Sequence, residues 1–261
     1  METPLLEFRN ITVLRQEKKI LDNINLTVGP KEHIAIVGPN GSGKSSLIKV
    51  IMREYYPVAS PDVVRHILGR DLWNVADLRK EMGIVTTDLQ NTCLRESTVI
   101  DMVVSGFFSS IGIYESHDVT PEMMQKADIV LEELGISHLK KRLMTEISTG
   151  EARKVLIARA LVHDPKALVL DEPTNSLDMK AISRFRKMIS DLSGNHNIVL
   201  VTHDLSDIIP EIDRIILIKN GKIIADGRKD DILTSENLTK LFDVPVTVEK
   251  HGLYYSSHLG E

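Results

Sequence analysis

Eight consecutive residues near the start of the chain have the types and the spacing of a phosphate-binding loop. They match the pattern G-x-x-x-x-G-K-[ST] at every fixed position, and they are Gly38, Pro39, Asn40, Gly41, Ser42, Gly43, Lys44 and Ser45. The glycines let the backbone wrap closely, so that its N–H groups point at phosphate oxygens. The pattern predicts that Lys44 reaches the β- and γ-phosphates of a nucleoside triphosphate and that the Ser45 hydroxyl binds Mg²⁺. Ser46, the next residue, is predicted to contact the nucleotide as well.

A pair of carboxylates later in the chain could complete the chemistry of such a site. Asp171 and Glu172 directly follow the apolar run 167–170, which is typical of a buried strand. In parallel sheets, ligands bind at the carboxyl ends of the strands. Asp171 is therefore predicted to hold Mg²⁺ through its water shell, and Glu172 to act as general base toward the attacking water. The alternative is a solvated turn before Pro173; the presence of the phosphate-binding loop favours the catalytic interpretation.

The elements that must position these residues alternate between strands and helices. The apolar run 33–37 is predicted to be a buried strand that leads into the phosphate-binding loop. Strands that alternate with helices predict an α/β fold with a mostly parallel sheet, while the partial alternation of the first two segments predicts antiparallel strands. The predicted elements are strands at 5–14, 20–28, 33–37, 84–85, 167–170 and 198–201, helices at 45–53, about 150–162 and after 178, and a hairpin at 214–225.

The middle of the chain, from about residue 90 to 150, has a mainly helical pattern. Residues 98–104 look helical, and a second helix is predicted to begin with Thr120 as N-cap and Pro121 at its first position. Apolar residues then recur at helical spacing until Gly135, which can end the helix. This block is therefore predicted to be a helical insertion between β-containing parts.

The composition limits the class of protein. A chain of 261 residues corresponds to between one and two domains at about 150 residues each. The net charge of -5 argues against a protein that binds nucleic acid through its overall charge, and we expect no nucleic-acid partner. The single cysteine, Cys93, excludes a disulfide framework and a Cys-built zinc site. Because no apolar run approaches the roughly 18 residues of a membrane span and no signal peptide is visible, a cytosolic chain is expected.

The order of these motifs resembles the ATP-binding cassette (ABC) family of ATPases. Between the loop and the carboxylates lies Ile147-Ser148-Thr149-Gly150-Glu151, similar to the Leu-Ser-Gly-Gly-Gln signature of that family. The run 175–178, Asn-Ser-Leu-Asp, is similar to the D-loop of the family, and His203 to its switch histidine. The resemblance covers essentially the whole chain in the right order.

This resemblance implies a P-loop NTPase of the ABC type in a single domain, 1–261. Residues 1–89 and 150–261 would form the core with an N-terminal antiparallel β-subdomain, and about 90–149 the inserted α-helical subdomain. It also implies that two copies dimerise around two Mg-ATP, with Ser148 and Gly150 of one copy contacting the γ-phosphate bound to the other. His203 would contact the γ-phosphate and stabilise the transition state.

The signature segment departs from the family at two positions. Thr149 stands where the family has glycine, and Glu151 where it has glutamine. Ser148-x-x-Glu151 is also a capping box, worth on the order of 1 kcal/mol to a helix. Since Glu151 adds negative charge near the expected γ-phosphate, we hypothesise slower or more conditional dimer closure.

Two further family positions leave alternatives open. In the Q-loop, Thr87 holds the ungapped position, whereas Gln90 carries the amide oxygen that could reach Mg²⁺ and water, and we favour Gln90 as a catalytic and metal-binding residue. Arg15 stands where the family usually has an aromatic residue against adenine. An arginine can stack on a base, but a solvated charge in a loop is an equal alternative.

Within the family, the sequence is compatible with two functions from different classes. The first is the ATP-hydrolysing subunit of an ABC transporter, at the cytoplasmic face of the membrane with separate transmembrane permease subunits. The second is a soluble ABC-family ATPase in repair, translation or regulation, which is disfavoured because the chain lacks coiled coils, zinc cysteines and a second cassette. The aromatic stretch 105–114 resembles that of molybdate-type and photorepair-associated members, and it is either a partner surface or part of a core.

Overall fold

The structure, a computed structural model, describes residues 2–93 and 96–260. Its strands are β1 (Leu6–Arg15), β2 (Lys18–Val28), β3 (Ile34–Val37), β4 (Val64–Ile67), β5 (Met82–Val85), β6 (Ala167–Asp171), β7 (Asn197–Thr202), β8 (Arg214–Lys219), β9 (Lys222–Arg228), β10 (Val246–His251) and β11 (Tyr254–Leu259). Its α-helices are α1 (Lys44–Ile51), α2 (Val75–Glu81), α3 (Thr87–Thr92), α4 (Val99–Val104), α5 (Pro121–Glu133), α6 (Thr149–Leu161), α7 (Met179–Ser193), α8 (Lys229–Ile232) and α9 (Ser235–Phe242).

The chain divides into two compact units. One unit comprises the residues up to Val75 together with those from Asn197 onward, and the other comprises Ala76–His196. In the first unit, β1 pairs antiparallel with both β2 and β4. The alternating residues Leu6 and Phe8 of β1 are buried, as the period-2 pattern of a half-buried strand requires. This is the N-terminal antiparallel β-subdomain that the sequence predicts.

The strand that leads into the phosphate-binding loop lies at the centre of the parallel part of the first unit. All four residues of β3 are buried, and β3 pairs in parallel with β7 on one side and β8 on the other. A strand covered on both faces reads as a continuous apolar run, which is why it shows no alternation. β9 returns antiparallel to β8 through Asn220 and Gly221, whose φ values of 49° and 75° fit a two-residue hairpin turn.

The second unit combines a parallel strand pair with most of the helices. β5 and β6 pair in parallel, and α6 packs against β5 as well as against α4 and α5. Helix α5 begins as predicted, because the Thr120 hydroxyl accepts a hydrogen bond from the Met123 amide and Pro121 occupies the first turn. It ends before Gly135, whose φ of 66° is the left-handed conformation expected after a helix.

The predicted α/β class with a mostly parallel core is confirmed. The sequence did not predict β4, α2 or the C-terminal elements α8, α9, β10 and β11, and β5 begins at Met82 rather than at residue 84. The compact units separate at residues 75/76 and 196/197, so the finer division into a core and a helical subdomain at about 90–149 stays a prediction. None of the helices in the described part of the chain is both long enough and apolar enough to span a membrane.

Candidate functional site

The phosphate-binding loop has the backbone that its glycines predict. Gly41 and Gly43 have φ values of 77° and 111°, in the region that side chains disfavour. Gly38 is required for a different reason, since a Cβ there would lie 2.2 Å from the carbonyl oxygen of Ile218 and 2.7 Å from Oγ of Ser42. Backbone therefore approaches backbone too closely for any side chain, and the loop curls back on itself.

Lys44 lies inside this loop. Only 5% of the residue is exposed, and its Nζ donates to the carbonyl oxygen of Gly38 at 2.6 Å and to that of Pro39 at 3.2 Å. Helix α1 starts at Lys44, and its N-cap residue Gly43 has no side-chain oxygen to offer the amides of the first turn. These amides and the helix dipole favour an anion at this end. Ser45 is exposed and Ser46 half-buried in the same turn.

The loop is supported by neighbouring segments of its own unit. The amide of Gly221, in the β8–β9 turn, donates to the carbonyl oxygen of Ser42 at 2.7 Å, and the Asp22 amide donates to the carbonyl oxygen of Gly221 at 2.8 Å. A Cβ on Gly43 would lie 3.0 Å from the carbonyl oxygen of Ile20 in β2. The phosphate-binding loop is thus fixed by both the hairpin turn and β2.

The predicted switch histidine lies on the turn that follows β7. His203 is exposed, and the residue before it, Thr202, accepts a hydrogen bond from the Gly38 amide at 3.3 Å through its carbonyl oxygen. The Thr202 hydroxyl donates to Oδ2 of the buried Asp207 at 2.6 Å and accepts from the Asp204 amide at 3.0 Å. The turn that carries His203 is therefore fixed beside the first residue of the loop. Its catalytic role stays a prediction.

Arg15, the predicted adenine contact, lies at the end of β1 beside an aromatic residue that the sequence analysis missed. Its Nη1 donates to the hydroxyl oxygen of Tyr55 at 3.1 Å. Both residues line a cavity of about 220 Å³ together with Ile20, whose carbonyl oxygen would lie 3.0 Å from a Cβ placed on Gly43 of the phosphate-binding loop. A planar guanidinium beside a phenol ring is suited to stacking on a base. The only sequence signal for Tyr55 was its place after the apolar face of α1.

The two carboxylates lie at the carboxyl end of β6 in the second unit, where Asp171 is the last residue of the strand and Glu172 follows it. Asp171 is 5% exposed at the end of the buried strand, and Glu172 has a φ of 48°, which is uncommon for a residue with a long side chain. The Asn175 amide donates to the carbonyl oxygen of Glu172 at 3.3 Å. A single buried carboxylate fits Mg²⁺, which is usually held by one or two carboxylates and substrate phosphates. Among residues 2–93 and 96–260, no group of three or more His, Cys, Asp or Glu is placed to hold a metal.

The Q-loop region begins helix α3, with the Thr86 hydroxyl accepting from the Leu89 amide as N-cap. The Thr87 hydroxyl donates to the carbonyl oxygen of Asp171 at 3.5 Å, which is a long hydrogen bond to the carboxylate segment. The side chain of Gln90 lies outside what the structure describes. The choice between Thr87 and Gln90 therefore stays a prediction.

The signature segment forms the capping box that its sequence predicts. Oε2 of Glu151 accepts from the Ser148 amide at 2.8 Å and from the Ser148 hydroxyl at 2.7 Å, and the Glu151 amide donates to Oγ of Ser148 at 3.3 Å. The bonds from the Ser148 side chain and amide lower the pKa of Glu151 below its usual 4.5. The Ser148 hydroxyl, which the family resemblance directs at a phosphate, is thus bonded to a carboxylate.

A buried arginine that the sequence analysis missed lies next to these motifs. Arg153 of α6 donates through Nη1 to the carbonyl oxygen of Glu172 at 2.9 Å and through Nη2 to that of Asn175. Gly150, in the first turn of α6, faces the side chains of Leu177 and Ala181, since a Cβ built there would lie 3.8 and 3.5 Å from them. Nothing in the sequence pattern singled out Arg153, because a basic residue within a helix usually faces solvent.

The aromatic stretch is neither fully buried nor fully exposed. Phe107 meets the ring of His163 edge-on at 5.1 Å between ring centroids, and Phe108 stacks on His117 at 4.2 Å. Both phenylalanines are half-buried, whereas Tyr114 is 52% exposed. The two sequence-based alternatives each describe part of the stretch, and a partner surface stays a prediction.

Comparison with known proteins identifies the family of the chain. The profile of the family described as ABC transporter matches residues 21–175, which is more than half of the chain. The uncharacterized ABC transporter ATP-binding protein YlmA of Bacillus subtilis is 33% identical over 248 residues, covering 94% of this chain and 93% of YlmA. The zinc import ATP-binding protein ZnuC of Pasteurella multocida is 32% identical over 266 residues, covering 99% and 91%.

A solved structure shares the fold. The ADP conformation of MJ1267, an ATP-binding cassette of an ABC transporter, superposes with a TM-score of 0.78 at 26% identity and covers 92% of this chain and 98% of that one. The resemblance inferred from the motifs is thereby confirmed at the level of family and fold. The chain belongs to the ABC transporter family, as an ATP-binding protein of that family.

Proposed function

We propose that this chain binds and hydrolyses ATP as the nucleotide-binding subunit of an ABC transporter. The observation that carries the proposal is the phosphate-binding loop, in which Gly38 admits no side chain and Lys44 is buried among the loop carbonyls. A buried ammonium beside the N-terminal amides of a helix is a site for a polyanion. Membership of the ABC transporter family makes ATP the expected ligand.

The roles proposed for the site residues follow from their chemistry. Residues 38–46 bind the triphosphate through backbone amides and Lys44. Ser45 and Asp171, with Gln90, would hold Mg²⁺, which when bound neutralises charge on the phosphates. Glu172 accepts the proton of the attacking water, and His203 holds the γ-phosphate as charge develops in the transition state.

The active form proposed is a dimer of this chain. Ser148 is exposed at the N-terminus of α6, where a capped helix end can face an anion supplied by another molecule. Two copies would enclose two ATP molecules, each between the phosphate-binding loop of one copy and the Ser148–Gly150 segment of the other. The dimer would lie at the cytoplasmic face of the membrane, and its closure would drive conformational change in separate transmembrane subunits. The cargo named for ZnuC is zinc, and no cargo is assigned to this chain.

The test of hydrolysis is Glu172→Gln, with Glu133→Gln on the exposed face of α5 as matched control. Loss of the base should lower kcat by about 100-fold or more, since general-base catalysis contributes roughly 10²–10⁴. The variant should also accumulate as an ATP-bound dimer in size-exclusion chromatography, while the control stays like wild type. If Glu172→Gln hydrolyses ATP at the wild-type rate, the assignment of the base is wrong.

The transport role is tested by affinity capture of the tagged chain from native membranes. Recovery of a polytopic membrane protein in stoichiometric amount supports a transporter subunit. Recovery of only soluble partners, or of none, would favour the soluble ATPase of the same family.

A further inference from the structure

The strongest feature outside the predicted motifs is the guanidinium of Arg153. The residue is 5% exposed, and a charge that is removed from water to this degree is unfavourable unless hydrogen bonds replace the water. Two of its partners are main-chain carbonyl oxygens, those of Glu172 and Asn175, which lie 19 and 22 residues further along the chain. Arg153 therefore fixes the course of the backbone between these two residues. The planar fork of an arginine reaches these two acceptors from two separate nitrogens, whereas a lysine has a single nitrogen to offer both.

The backbone that Arg153 holds is in an unfavourable conformation. Glu172 and Ser176 have φ values of 48° and 65°, in the left-handed region that residues other than glycine rarely adopt. Such conformations persist only where surrounding contacts enforce them, and they cluster at active sites. The carbonyl oxygen of Glu172 accepts from both Arg153 and the Asn175 amide, so two donors stabilise the turn at the proposed base.

The same helix also carries the signature segment. Ser148 caps α6 and Gly150 lies in its first turn, facing Leu177 and Ala181 beyond the held backbone. Helix α6 thus contacts the chain after β6 at two points. Gly150 packs there in the first turn of the helix, and Arg153 makes its hydrogen bonds there from the following turn. A displacement of the signature segment would be passed to the main chain at Glu172 through a rigid helix.

We propose that Arg153 is a positioning residue, which sets the orientation of Glu172 and links it to the signature segment Ser148–Gly150. This inference rests on the proposed function, because it assumes that Glu172 is the base. The role assigned to Arg153 is to position Glu172 through bonds to the main chain, and not to contact the reacting atoms. Arg153 acts by holding the carbonyl groups of Glu172 and Asn175, so that the carboxylate adopts its active orientation when the signature segment engages a phosphate.

The test compares Arg153→Met with Arg153→Lys and with a matched control, Arg159→Met. Arg159 is a half-buried arginine of the same helix, but it bonds to the Ser110 carbonyl oxygen at 2.7 Å and to Oγ of Ser105 at 3.3 Å, away from Glu172. Both Met variants should lower the melting temperature. Only Arg153→Met should lower kcat by about 10-fold or more with KM for ATP nearly unchanged, because a lost orientation acts on the chemical step and not on ground-state binding.

Two further readouts separate positioning from a merely structural role. Millimolar guanidinium should restore part of the ATPase activity of Arg153→Met and none of that of Arg159→Met. The kcat of Arg153→Lys should lie between those of the wild type and Arg153→Met. Hydrogen exchange at the Asn175 amide should be faster in Arg153→Met alone, since this amide shares its acceptor with Arg153. If Arg153→Met keeps the kcat of the wild type, or if both Met variants lose kcat equally, the inference is overturned. The proposed function would still stand in that case, provided that the wild-type protein hydrolyses ATP. Absence of turnover in the wild type would overturn both.

Discussion

Replacing Gly38 by alanine should displace the phosphate-binding loop, and the structure gives the size of the effect. The new Cβ would lie 2.2 Å from the carbonyl oxygen of Ile218, which is roughly 1.3 Å short of the ~3.5 Å at which non-bonded contacts become favourable. β3 and β8 are fixed by their parallel pairing, with Val37 opposite Leu217, so the loop must move instead. Overpacking of this kind costs about 1–3 kcal/mol of unfolding free energy.

The same movement should weaken ATP binding, because the Gly38 carbonyl oxygen accepts the 2.6 Å hydrogen bond from Nζ of Lys44. Each 1.4 kcal/mol corresponds to about tenfold in Kd, so a loss of about 1–3 kcal/mol in binding would raise Kd for ATP by about 5- to 140-fold. The matched control is Gly29→Ala, where a Cβ would meet Glu32 at ordinary distances of 3.5 and 3.7 Å. It should be neutral or stabilise the fold by about 0.4–1 kcal/mol.

The assays are urea unfolding and calorimetric titration with ATP on the three proteins. We expect Gly38→Ala to lose stability and affinity together and Gly29→Ala to lose neither. An unchanged urea midpoint and an unchanged Kd in Gly38→Ala would refute the close approach of β8 to the loop. A loss of affinity in Gly29→Ala as well would show that the effect is not specific to the loop.

Two further predictions concern the signature segment and the base-binding cavity. Glu151→Gln keeps an acceptor for both Ser148 bonds, so the free energy of unfolding should fall by less than about 1 kcal/mol. ATP turnover should rise, and unchanged turnover would contradict the hypothesis of conditional dimer closure. Because the Ser148 bonds hold the pKa of Glu151 below 4.5, its stabilising contribution is complete above that pH and is lost as pH falls through the lower folded-state value. The stability difference between wild type and Glu151→Gln should therefore shrink in urea titrations below pH 4.5. Arg15→Ala should raise Kd for ATP by about tenfold, given roughly 1–3 kcal/mol per stacked base. The control Lys18→Ala should leave Kd unchanged. If Arg15→Ala also binds ATP with the Kd of the wild type, the base lies elsewhere.

The elements with a strong local signal were predictable from the sequence. Helix α5 was fixed by Thr120, Pro121 and Gly135, which are start and stop signals that act through neighbouring backbone groups. The β8–β9 hairpin was fixed by Asn220 and Gly221 for the same reason. In contrast, β4 has the sequence Val-Arg-His-Ile between prolines and turns, and it becomes a strand only by pairing with β1. Such tertiary pairing leaves no local pattern to read.

The candidate site shows the same division. Its loop and its carboxylates were recognisable because their chemistry requires particular residues at particular spacings. Arg153 and Tyr55 were missed, because their significance depends on partners that the fold supplies, the carbonyl oxygen of Glu172 in one case and the guanidinium of Arg15 in the other. An arginine within a helix and a tyrosine after one are common, and neither carries a spacing rule. Contacts to main-chain carbonyl oxygens are invisible in a sequence, since every residue has one.

The turn between β8 and β9 has a practical consequence for anyone who modifies this protein. Tips of surface hairpins are the usual places to insert an affinity tag, a fluorophore or a cleavage sequence, since little depends on them. Here the amide of Gly221 bonds to the carbonyl oxygen of Ser42, and a Cβ on Gly221 would lie 2.7 Å from the carbonyl oxygen of Ile20. An insertion at this tip would therefore be transmitted to the nucleotide loop, whereas Gly252, with nothing within 4 Å of its Cβ position, offers a tolerant site.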